Sequence, residues 1–102
     1  MTVRRLADGS WESPATRQAT PEMNIPKMLR LRAENYPSQV AIERRSPVGA
    51  WRPVTIDQFL ADADSLARGL IALGLEPGEH LAILAPTSYE WALVDVAALS
   101  CG

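Results

Sequence analysis

His80, Cys101 and Lys27 are each the single residue of their type in a chain of 102 residues. Nucleophilic catalysis needs a serine or cysteine, an imidazole and an orienting carboxylate that converge. His80, beside Glu79, reads as the surface start of a strand, and no such set can be built from it. A structural zinc site needs four nitrogen or sulfur ligands; one His, one Cys and acids scattered over helix surfaces do not supply them. Cys101 has no CxxC partner and reads as a small buried hydrophobe at a helix end. Arg30, Arg32, Arg44, Arg45 and Arg52 form the densest positive set. They allow a phosphate-binding patch, but a solvated face is the stronger reading. Trp51 and Trp91 read as core anchors rather than stacking platforms. No catalytic, cofactor-binding or metal-ligating residue is assigned.

The elements that position these residues are best read from the last third. Residues 81–85, Leu-Ala-Ile-Leu-Ala, are an unbroken apolar run that suits a strand buried on both faces. Pro86 ends it. Thr87 then caps a helix over 88–100, with Glu90 closing a capping box. That helix is apolar nearly all round, from Trp91 to Leu99, which predicts that it is sandwiched. The loop 85–89 between them is where an α/β protein usually binds its ligand. It holds no glycine, so its backbone cannot wrap a phosphate as a glycine-rich loop does. The Thr87 and Ser88 hydroxyls allow an anion there; capping is the stronger reading.

Residues 1–23 show no lasting periodicity and read as an extended arm, which Leu6 and Trp11 allow to be anchored on the surface. Asp8-Gly9 allows a small hairpin, but a loosely attached tail is preferred. A first helix spans 24–35, with Asn24 as cap, Pro26 in its first turn and Pro37 as its stop. Ile25, Met28, Leu29 and Arg32 fall on one side of it. Strands are expected at 40–45 and 50–54, an antiparallel hairpin closed by Ser46-Pro47-Val48-Gly49, with Pro53 marking a sheet edge. Thr55 and Gln58 form a second capping box. It opens a helix over 56–73 with an apolar stripe of Phe59, Leu60, Ala63, Leu66, Ala67 and Leu70. Gly74 terminates it, and Pro77-Gly78 turns the chain. No internal repeat is evident.

Composition narrows the class. A hydrophobic content of 47% with 22% charged residues is that of a soluble globular domain. A net charge of -2 gives no reason to expect nucleic acid or an anionic membrane as the main partner. No apolar run reaches the roughly 18 residues of a membrane span. Arg4 and Arg5 have no apolar region behind them, so no secretory signal is read. A single cysteine fits a reducing cytoplasm.

The order of features from Asn24 to Gly102 resembles the N-terminal part of AMP-forming acyl-CoA synthetases, in the adenylate-forming superfamily. The residues that carry the likeness are Val40-Ala41-Ile42, the Trp51 hairpin, Gly69-Leu70, Leu73-Gly74-Leu75, Pro77 to Ala85, and Ser88-Tyr89-Glu90-Trp91. The Trp51 hairpin and Glu90-Trp91 lean towards the long-chain fatty-acid ligases. The resemblance implies an incomplete segment, residues 24–102, of a larger α/β enzyme domain behind an arm, 1–23. It implies a parent that uses ATP, Mg and CoA to convert a fatty acid through an acyl-adenylate into a thioester, and it allows peripheral membrane association of that parent. The family's phosphate loop and its later motifs do not occur in these 102 residues, so the segment alone is expected to be inactive. It is also expected to self-associate through its last strand and helix. The alternative reading is a stand-alone α/β interaction module without catalysis.

Overall fold

A computed structural model describes residues 2–102. Among the described residues there are two β-hairpins and three helices. Strands β1 (Arg4–Arg5) and β2 (Trp11–Glu12) form the first hairpin. It lies in the arm that sequence reasoning favoured as a loose tail, so the less favoured reading is the one observed. Trp11 is 69% exposed, so the surface anchor it allows is not made.

Helix α1 (Ile25–Asn35) starts where its cap predicts, the Asn24 side chain accepting the Lys27 N–H at 2.9 Å. Of the expected stripe, Leu29 reaches the core, joined by Ala33. Ile25 and Met28 stay in water, because α1 meets the body along one narrow seam.

Strands β3 (Val40–Arg45) and β4 (Trp51–Thr55) pair antiparallel as expected, with Ile42 opposite Val54, Arg44 opposite Arg52 and Arg45 opposite Trp51. Ile42 and Val54 turn inward onto the core. Successive residues alternate faces, so Arg44 and Arg52 share that inner face, while Arg45 and Trp51 lie on the outer one.

Helix α2 (Ile56–Ala72) is the centre of the fold. Its capping box is complete: Thr55 Oγ1 accepts the Gln58 N–H at 3.2 Å, and Gln58 Oε1 accepts the Thr55 N–H at 3.0 Å. Ile56, Phe59, Leu60 and Ala63 are buried against Val96 of helix α3 (Tyr89–Ser100), and Leu29, Ile42, Val54 and Leu93 pack around them. Gly74 adopts φ 104° and ends the helix, the conformation that favours glycine.

Two expectations fail between α2 and α3. Residues 81–85 form no strand and pair with nothing. Leu84 is fully exposed, while Leu81 and Ile83 are half-buried. A buried parallel strand is therefore not observed. No strand lies beside it: β3 and β4 pair only with each other, as do β1 and β2, and neither hairpin sets an outer edge against residues 81–85. The second failure is the cap. Ser88, not Thr87, accepts the Trp91 N–H at 3.2 Å. Moving the cap by one residue moves Glu90 out of the position from which it would bond back, so no capping box closes.

Helix α3 is not sandwiched either. Val96 and Ala97 are buried, but Trp91 and Leu99, two turns apart on one line, are 41% and 46% exposed. Trp51 is 63% exposed, so neither tryptophan expected to be a core anchor acts as one.

Candidate functional site

The five arginines singled out in the sequence do not form one patch. Arg30 reaches Asp64 on α2 through both terminal nitrogens, at 3.2 and 2.7 Å. That bond holds the Asp64 carboxyl below the usual carboxylate range. Arg32 donates to Gln39 at 2.6 Å and lies 4.5 Å over the Tyr36 ring. Both are structural ties.

Arg44 is held differently. Its guanidinium stacks 4.0 Å over the Tyr89 ring and donates to Glu90 Oε1 at 2.9 Å. Glu90 is available because Ser88 rather than Thr87 takes the cap. The Tyr89 hydroxyl donates to Asp62 on α2 at 2.6 Å, and its ring meets Phe59 edge to face at 6.0 Å. Burial, then the bond to the Asp62 carboxylate, pushes the Tyr89 hydroxyl up to about 12. This cluster locks the β3–β4 hairpin to both helices.

Arg45 and Arg52 remain. Neither makes an ion pair among the described residues. With Arg44 they line an open cleft of about 500 Å3 that also includes Pro47, Val48 and Pro53. The hairpin therefore presents two uncompensated cations beside Val48, which is 87% exposed, and Trp51.

The first hairpin repeats this arrangement. Residues 4–11 and 44–51 share Arg-Arg, three residues, Gly, one residue and Trp. Arg5 stands opposite Trp11 as Arg45 stands opposite Trp51. Leu6 N–H donates to the Ser10 carbonyl at 2.8 Å and Gly9 N–H to the Leu6 carbonyl at 3.0 Å; the matching bonds from Ser46 and Gly49 are 2.7 and 2.9 Å. Gly9 and Gly49 adopt φ 88° and 87°. The expectation of no internal repeat is thus overturned. The spacing was visible in the sequence, but it spans only eight residues and escapes a search for repeats of domain-building length.

The remaining single candidates are Lys27, Cys101 and His80, the last two on the lining of one cleft. Lys27 Nζ donates to the Glu22 carbonyl at 3.1 Å. Cys101 is half-buried, its Sγ 3.6 Å from the Ala67 carbonyl oxygen, in keeping with a packing role. His80 is exposed on the rim of a cleft of about 390 Å3 lined by Leu81, Ile83, Ala98 and Leu99. Among the described residues no three His, Cys, Asp or Glu side chains come together as metal ligands. At the start of α3, Ser88 and the Trp91 N–H already serve each other, Pro86 has no N–H to offer, and no glycine allows close approach. These residues do not fit the phosphates of a nucleotide. Among the described residues no helix is long and apolar enough to cross a membrane.

What the chain resembles as a whole is clearer than any site within it. Long-chain-fatty-acid–CoA ligase FadD15 of Mycobacterium tuberculosis is 33% identical over 79 residues, 78% of this chain and 13% of that protein. The FadD15 protein of Mycobacterium bovis matches to the same extent. The mitochondrial medium-chain acyl-CoA ligase ACSF2 of Danio rerio is 38% identical over 48 residues, 47% of this chain and 8% of that one. The chain thus spans about an eighth of the length of the FadD15 relatives it matches. No solved structure matches. The profile described as AMP-binding enzyme covers residues 29–102, from the middle of α1 through both capped helices, and the chain belongs to that family.

Proposed function

We propose that residues 24–102 serve as the N-terminal scaffold of a cytoplasmic long-chain fatty-acid–CoA ligase, an enzyme that forms an acyl-adenylate from fatty acid and ATP and passes the acyl group to CoA. The observation that carries the reading is the match across 78% of the chain to a protein named for that activity. In this reading α2, α3 and the β3–β4 hairpin form one wall of the catalytic domain. Residues 80–85 become a sheet strand once further chain lies beside them. Half-buried Leu81 and Ile83 already rest against the body, as one face of such a strand would. The adenylating groups come from elsewhere in the enzyme, since no residue described above fits ATP or Mg.

The test is a chimera in which residues 24–102 replace the corresponding segment of the Mycobacterium tuberculosis relative. Palmitate-dependent release of pyrophosphate from ATP is the expected result. A folded chimera without that activity would overturn the reading. The 102-residue chain assayed alone is expected to release none.

The rival is an interaction module. The observation that favours it is the repeated pairing of an exposed tryptophan with an arginine across each hairpin, Arg5 with Trp11 and Arg45 with Trp51, which lies outside the core.

A further inference from the structure

The two Arg–Trp hairpins place the same side chains in the same geometry at two points of one chain, and neither is buried. Trp11 and Trp51 are 69% and 63% exposed. The arginines that stack on aromatic rings are Arg32 and Arg44, on tyrosines, so both indoles remain open. Arg4 and Arg44 are neutralised by Glu12 and Glu90. Arg5, Arg45 and Arg52 have no carboxylate partner among the described residues. Glu43 is the acidic neighbour on the outer face of the second hairpin, two pairs along the ladder from Arg45 and Trp51. Each copy thus offers an exposed indole directly across from an unpaired guanidinium, behind a tight glycine turn.

We infer that these two hairpins are a paired docking device for the surface of an anionic phospholipid bilayer. The charge complementarity that argues for this occupant is local: the three unpaired guanidiniums match headgroup phosphates, whereas the chain as a whole, at a net charge of -2, is not drawn to them. The indole sits well at the boundary of headgroup and acyl chain because its body is apolar and its N–H is polar. Arginine stems lie along the apolar layer while their heads stay in the headgroups. Val48, at the tip of the second turn, adds an apolar wedge. The first copy carries Asp8 at that point, bonded to Ser10 at 2.9 and 2.6 Å, so it is the weaker contact. Two weak contacts on one chain bind more tightly than either, because the second engages at high local concentration. The inference does not rest on the ligase reading.

The test is flotation of the 102-residue chain with vesicles, which separates bound chain from any aggregate. Vesicles of phosphatidylcholine and phosphatidylglycerol at 7:3 should carry the chain upward, with binding that weakens as salt is raised. Pure phosphatidylcholine should not. Arg5→Glu and Arg45→Glu should each weaken partitioning by at least about fivefold, Arg45→Glu the more, and the double variant should lose it. In a Trp91→Phe background, brominated phospholipid should quench the emission of Trp11 and Trp51. Far-UV circular dichroism checks that the variants keep their helices. Equal binding to neutral vesicles, an unaffected double variant or absent quenching would each overturn the inference. So would capture by polyglutamate without vesicle binding, which assigns the surface to an acidic protein instead.

Discussion

The Tyr89 hydroxyl donates to Asp62 at 2.6 Å, so the first residue of α3 is bonded to the middle of α2. The same ring lies under Arg44. One side chain therefore joins three elements of the fold.

Replacing Tyr89 with Phe keeps the ring and removes the bond. The expected loss is about 1 kcal/mol, the usual net value of one such hydrogen bond at a partly exposed site. It is read as a lower midpoint in urea. The pH dependence has a definite sign. The folded-state value, near 12, lies above the reference of 10.0, so this contribution is complete below pH 10 and is lost as pH rises towards 12. Difference titration at 295 nm, wild type minus Tyr89→Phe, should show a component with its midpoint near 12. A midpoint near 10 would refute the bond.

The cap of α3 discriminates between adjacent hydroxyls. Ser88→Ala should cost about 1 kcal/mol and Thr87→Ala less than about 0.5 kcal/mol. Thermal melts of the two variants compare them directly. Equal losses would mean that the cap is shared.

The exposed stretch 81–85 predicts self-association of the 102-residue chain. Leu84 and Leu99 stay in water beside unpaired backbone, and an unpaired edge is a template for another chain. Burial is worth roughly 25 cal/mol per Å2, so covering a few hundred Å2 would yield several kcal/mol. Sedimentation equilibrium at high micromolar concentration should show dimers or larger species, and Leu84→Lys should shift the distribution to monomer. A monodisperse wild-type monomer would refute this.

The local parts of the fold were legible because their causes are local. Asn24, Thr55 with Gln58, Gly74 and the 46–49 turn set helix and hairpin boundaries through bonds spanning a few residues. The stripe on α2 marked the core directly. What failed depends on distant neighbours. An apolar run such as 81–85 says that a strand would be buried if partners were present, not that they are. Trp51 and Trp91 look like core residues by type, yet whether they are covered depends on chain that must reach them. Thr87 and Ser88 cap equally well on paper, and the contact of Glu90 with Arg44, 46 residues away, goes with the Ser88 register. The candidate interface was missed for another reason: Arg4 to Trp11 and Arg44 to Trp51 were weighed singly, and their likeness shows only when the two are laid side by side.

The Gly78 N–H donates to the Gly102 carbonyl at 2.8 Å. That bond clasps the chain into a ring, so residues 80–87 are a span fixed at one end by the clasp and at the other by the Ser88 cap. A free segment would give up about 1–2 kcal/mol of backbone entropy for each residue ordered on docking. Here the two tethers remove part of that freedom beforehand. A strand arriving beside 80–85 would meet a span held at both ends, with less entropy left to lose than a free one.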